Sequence, residues 1–140
     1  MEISQIGEIA SIFETHTIDG IDKECLDRLS CSKHYYHLFH VVCVWLDTKF
    51  REVFNCAGGG THQAVRTSCE LLAEKFQDRN FKKLALKLKQ LHDIRVQADY
   101  RLADDFSKHT ITMMKNEKER ALILIAELDQ KHSSEYLKQA

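Results

Sequence analysis

Proline is absent from this chain, so no residue removes a backbone N–H or forces a kink within a helix. Glycine is scarce as well: there are five, and three of them are consecutive at positions 58–60. A sandwich of short strands needs turn chemistry at regular intervals, and this composition does not supply it. No stretch reaches the ~18 consecutive apolar residues of a membrane span. Neither sign of charge dominates, with 20 basic residues against 21 acidic ones and a net charge of −1. No global field therefore recruits nucleic acid or an anionic membrane, and any such binding has to come from a local patch. The five cysteines are odd in number and show no CxxC spacing, which reads as free thiols in a reducing compartment. The opening MEISQIGEIASIF lacks the basic region and long apolar run of a signal peptide, so the expected location is cytoplasmic.

What is present is helical periodicity. At 140 residues and 44% apolar content, the chain suits one domain, residues 1–140, with a core of its own. Ile3, Ile6, Ile9, Ala10 and Phe13 predict a short helix over residues 2–14. A long central helix is expected over residues 21–54, with Ile21, Cys25, Leu29, Ser32, Tyr35, Tyr36, Phe39, Val42, Cys43, Leu46, Phe50 and Val53 on its stripe. The glycines at 58–60 stop it, and Thr61 is the expected N-cap of the next helix. After a link at residues 77–80, Phe81, Leu84, Ala85, Leu88, Leu91 and Ile94 mark a third long helix ending near Asp99. Thr110 is expected to cap the last one, whose inner face carries Ile111, Met114, Lys118, Ala121, Ile125 and Leu128. Four long helices with short links predict an all-α, antiparallel four-helix bundle with a short additional N-terminal helix.

Few constellations point to chemistry. GGGTH lacks the Lys-Ser/Thr pair and the preceding strand of a phosphate-binding loop, and reads as a plain turn. His34, His37 and His40 recur at steps of three, which spreads them around a helix rather than gathering them on a metal ion. No GxSxG elbow, Cys/His nucleophile motif or cofactor signature is present, so neither metal nor cofactor is expected. Lys82, Lys83, Lys87 and Lys89 form the chain's one local basic cluster, and it runs into QLHDIRVQADYRL at residues 90–102. On a helix His92, Arg95 and Asp99 share a side, with the Asp99 carboxylate placed to fix the Arg95 guanidinium. Either this is an ion-pair network closing the end of a bundle, or Arg95 faces a cleft and grips a phosphate with its planar fork.

Three blocks, SCSKHYYHLFHVV (residues 30–42), GGGTHQAV (residues 58–65) and LHDIRVQADYRL (residues 91–102), resemble in that order the signature blocks of small bacterial HEPN-superfamily proteins, the higher-eukaryote and prokaryote nucleotide-binding bundles. The resemblance runs from residue 29 to about residue 128, and its strongest motif is R-x-x-A-D-Y at Arg95, Ala98, Asp99 and Tyr100. It implies an all-α bundle that homodimerises and brings two copies of the motif into one cleft. Many members are metal-independent ribonucleases of toxin–antitoxin or defence systems. Others are non-catalytic binding partners, often encoded beside a nucleotidyltransferase. The ribonuclease branch carries R-x4-6-H, whereas after four intervening residues from Arg95 this chain has Tyr100, a poor base at neutral pH.

The resulting expectation is a non-catalytic homodimeric bundle that binds a nucleotide, RNA or a nucleotidyltransferase-type partner through Arg95, Asp99, Tyr100, Tyr36 and Lys87. Two alternatives stand beside it. In one, Arg95, Tyr100 and His92 perform metal-independent RNA cleavage; in the other, the polar network only sets the register of an assembly subunit.

Overall fold

The computed structural model of the chain describes residues 1–133; residues 134–140, the end of the expected single domain, lie outside the described residues. Across the described residues the chain is all-helical, with no strand. Its elements are α1 (Ser4–Thr15), α2 (Lys23–Lys49), α3 (Arg51–Cys56), α4 (Thr61–Phe76), α5 (Arg79–Tyr100) and α6 (Lys108–Leu128), followed by a π turn at Asp129–Ser133. No helix among the described residues is long and apolar enough to cross a membrane. All five cysteines are free thiols.

Helix α2 is the hub, packing on α1, α5 and α6 and touching α3 and α4. This corrects the single stripe read from the sequence. Ile21, Cys25 and Leu29 are exposed, while Leu26, Ser30, Cys31, His34 and Leu38 are buried beside Ser32, Tyr35, Phe39, Val42 and Leu46. The physical reason is that α1 covers a second side of α2: the buried Ser30 Oγ donates to the Ala10 carbonyl at 2.7 Å. The expected continuous helix over residues 21–54 is also corrected. Its backbone leaves the helical region at Phe50 (φ −136, ψ 41), and α3 starts at the next residue. Phe50 is fully buried, with its ring edge-on to Trp45, Phe76 and Phe81, so aromatic packing breaks the helix where no glycine or proline announces it.

Two cap assignments shift. Gly60, not Thr61, is the N-cap of α4, and Ser107, not Thr110, precedes α6. The turn before α4 needs glycine at position 59, where φ is 93 and a Cβ would lie 2.8 Å from Gln63 Oε1. Between α4 and α5 the link is shorter than expected: Gln77 takes the left-handed conformation, and Asp78 caps α5 by accepting from the Asn80 N–H. Asp78 also binds His132 Nε2 at 2.7 Å, which ties the final turn to the start of α5.

The expected inner face of α6 is borne out, including its lysine. Lys118 is 6% exposed, and its ammonium donates to Nδ1 of His34 at 2.9 Å and Nδ1 of His37 at 3.3 Å. The histidine series thus serves a buried cation: His34 and His37 meet Lys118, while His40 is exposed. Burial first, and then the charge of Lys118, lowers the His34 pKa to about 3. Burial likewise holds Lys118 below the ordinary lysine range.

A histidine kept neutral by folding gains a proton only on unfolding, so its contribution is complete above its unfolded pKa of 6.5 and is lost as pH falls toward about 3. Between pH 6.5 and 5 that loss amounts to roughly 2 kcal/mol at 1.36 kcal/mol per pH unit. Urea denaturation at a series of pH values should show stability falling over this window in the wild type, with a visibly flatter profile for His34→Gln. Parallel profiles for the two proteins would refute the assignment to His34.

Candidate functional site

The site is assembled from three helices. Helix α2 contributes Ser32, Tyr35, Tyr36 and Phe39; α4 contributes His62 and Arg66 from its first two turns; α5 contributes His92, Arg95 and Asp99, with Tyr100 at its end. Spacings of three and four residues put each set on one side of its helix. The end of α5 is held by Arg28, whose Nη1 donates to the carbonyls of Gln97, Ala98 and Arg101 at 3.0, 3.2 and 3.2 Å. A cation on these unsatisfied carbonyls suits the negative end of the helix dipole, and it fixes the turn from which Asp99 and Tyr100 project.

Arg95 lies at the centre and is 6% exposed. Its Nη1 donates to Asp99 Oδ2 at 3.4 Å, and Ser32 Oγ donates to the same oxygen at 3.1 Å. The guanidinium carbon sits 5.3, 5.8 and 5.7 Å from the ring centroids of Tyr36, Tyr35 and Tyr100, within the range of cation–π attraction. Burial opposes its charge, but Tyr36, Asp99 and Tyr100 more than offset this, and its pKa rises above the ordinary arginine value. The cation is permanent. Its Nε is buried and unbonded, as are Arg66 Nη1 and His92 Nδ1. Such groups carry the full cost of desolvation unless a partner arrives.

Beside the arginines are two imidazoles. The rings of His62 and His92 are 4.8 Å apart, and Tyr35 Oη lies 2.7 Å from His62 Nδ1. Burial pushes the Tyr35 phenol up despite Arg95 and Arg66, so its O–H is retained and is placed to donate to that nitrogen. Burial lowers the pKa of both histidines, and the charges of Arg95 and Arg66 lower them further. At neutral pH both rings are therefore uncharged bases next to two fixed cations. That combination is suited to an oxyanion such as a phosphodiester, which would pair with the arginines and accept from the unbonded N–H groups.

Of the residues singled out in the sequence, Arg95, Asp99, His92, Tyr36 and Tyr100 come together, with Tyr100 at the rim and 72% exposed. Lys87 does not join them. It lies two turns earlier on α5 and pairs with Glu117 of α6. The cleft pictured at Arg95 is a nearly closed cluster: Arg95 is 6% exposed and lines neither of two grooves on the surface, although Tyr36 lines one of them. His62 and Arg66 were missed. Their i, i+4 spacing at the start of α4 was visible, but nothing in the sequence paired that turn with α5.

Comparison with protein-family models, curated proteins and solved structures finds no match to the chain. The reading of the site rests on its own geometry.

A proton-detected titration of the imidazoles should place His62 and His92 below 6.5 in the wild type. Arg95→Gln removes one of the charges that depress them, so both should then titrate at higher pH. Unchanged values in that variant would mean that Arg95 does not act on the pair.

Proposed function

We propose that this chain is a HEPN-like helical domain that binds a nucleotide or RNA phosphate at the Arg66, Arg95, His62 and His92 cluster. In this reading α2, α4, α5 and α6 correspond to an antiparallel four-helix bundle, with α1 as the added N-terminal helix. The observation that carries it is the buried Arg95, fixed by Asp99 and Ser32 yet left with an unbonded Nε beside the unbonded Nη1 of Arg66. An intramolecular ion pair alone would not call for a second arginine. The R-x-x-A-D-Y resemblance supports the same side chains, and with it a homodimer and a nucleotidyltransferase-type or RNA partner in a toxin–antitoxin or defence setting. Because Arg95 is covered by Tyr35, Tyr36 and Tyr100, ligand entry in this reading begins with the exposed Tyr100 swinging aside.

A second reading is favoured by one observation, the 4.8 Å approach of His62 and His92. Tyr100 stands where the ribonuclease branch has histidine, but His62 reaches the cluster from another helix and supplies the missing base. In metal-independent cleavage, one uncharged imidazole takes the 2′-hydroxyl proton, the imidazolium so formed passes a proton to the leaving 5′-oxygen directly or through the other ring, and the arginines hold the charge on the phosphorane. Arg95, His92 and Tyr100 then keep the places expected for them, with His62 in the basic role that Tyr100 fills poorly.

Fluorescence anisotropy with a labelled single-stranded RNA separates these readings when paired with gel analysis in chelator. Arg95→Ala and Arg66→Ala should each weaken binding about tenfold, the scale of one lost charge-assisted hydrogen bond. Cleavage abolished by His62→Ala and His92→Ala would establish the enzyme; binding without cleavage would leave the binding domain. RNA affinity indifferent to both arginines, with the fold intact, would end both readings.

A further inference from the structure

Tyr36 has two sides. Toward α5 its ring meets the Arg95 guanidinium at 5.3 Å; toward α1 it lines a groove of about 540 Å³ shared with Gln5, Ile6, Ile9, Lys33 and His40. The Tyr36 and His40 rings, one turn apart on α2, lie 6.2 Å apart and within 30° of parallel. Ile6 and Ile9 form an apolar wall from α1. Lys33 Nζ stands 5.6 Å from the Tyr36 centroid and pairs with no carboxylate among the described residues. Helix α1 is also anchored outside the groove, by the buried Ala10 with its bond from Ser30 and by the Lys115–Glu14 ion pair.

We infer that this groove is a nucleobase subsite: a base stacks on Tyr36 and His40, Ile6 and Ile9 close over it, and its phosphate is drawn to Lys33. The inference rests on the phosphate-binding reading of the Arg66 and Arg95 cluster and extends it by one nucleotide unit. The chemistry matches on each count. A base is flat and apolar on its faces, which suits ring stacking and isoleucine contact. Its edge carries both donors and acceptors, and the Gln5 amide offers both in return. Its attached phosphate is an anion, and Lys33 is an ammonium without an acidic partner among the described residues. An aliphatic chain would have no use for Lys33 or Gln5. The position counts as well, since a strand with one base in the groove has its next phosphate on the Arg95 side of Tyr36. Stacking displaces the Lys33 ammonium from the ring and frees it for the phosphate.

The test compares a fluorescein-labelled strand of twelve adenosines with an abasic ribose-phosphate strand of equal length and charge. In the wild type the adenosine strand should bind about tenfold more tightly, as expected for one base stacked on aromatic side chains. His40→Ala, at an exposed position, should bring the ratio close to one and leave the abasic affinity in place; Tyr36→Leu, checked for folding by its thermal midpoint, should also bring the ratio close to one, and it is read by that ratio alone because Tyr36 also touches Arg95. Arg95→Ala should weaken both strands alike. Equal binding of the two strands by the wild type, still dependent on Arg95, would overturn the groove and spare the phosphate site. A preference for adenosine that survives both groove variants would overturn it too.

If neither strand binds, the phosphate reading falls, and adenosine 5′-monophosphate then reads the groove directly. A saturable shift of the His40 ring protons would support the groove as a site for the free nucleotide; no shift would overturn it. Where the strand does bind, displacement by the mononucleotide marks the free nucleotide as a ligand of the same groove, and failure to displace marks a strand-bound residue.

Discussion

A buried cation has to be satisfied where it stands, and this fold sets three of them against its central helix by three different means. Arg28 is spent on backbone, donating to the last carbonyls of α5. Lys118 from α6 is shared between two neutral imidazoles. Arg95 from α5 is held by one carboxylate and by aromatic faces, and it alone among the three keeps a buried unbonded N–H. Each cation locks a neighbouring helix onto α2. With α1 covering the other side through the Ser30–Ala10 bond, this explains why α2 carries so many polar groups inside the fold.

The three solutions separate structure from function. Arg28 leaves nothing over: its remaining nitrogens reach Glu24 and the Asp104 carbonyl, and its guanidinium lies on Phe106. Lys118 and its histidines tie α6 to α2, and the cost is stability that declines in acid. The Arg95 cluster is different, because Arg66 adds a second fixed positive charge, and Arg66 Nη1, Arg95 Nε and His92 Nδ1 are buried nitrogens that Asp99 does not answer. A site with surplus donors around a fixed cation is built to accept an anion from outside. The tyrosines covering it exclude water, which strengthens any such contact.

Much of this was legible along the chain. The i, i+4 relation of Arg95 and Asp99 follows from helical geometry alone, and so does the inward position of Lys118, which the stripe from Ile111 to Leu128 demanded even for a charged residue. The break at Phe50 was not legible, because its cause is a pocket formed by Trp45, Phe76 and Phe81 and not the local backbone preference of any residue there. Nor was the second buried side of α2, since periodicity reports one face at a time.

The sequence by itself determined the helical class, the approximate extents of the long helices and which side chains share a side of each, because those depend on neighbours within a turn or two of the chain. Only the tertiary structure decided that His62 meets His92, that Tyr35 binds His62, that Lys87 goes to Glu117, and that Arg95 is covered by rings. The first three pairings join residues separated by 27 or 30 positions on different helices, and the Tyr35 and Tyr36 rings over Arg95 also come from another helix. Such a meeting depends on how whole helices cross and rotate, and that is set by the summed packing of the core rather than by any short run of residues.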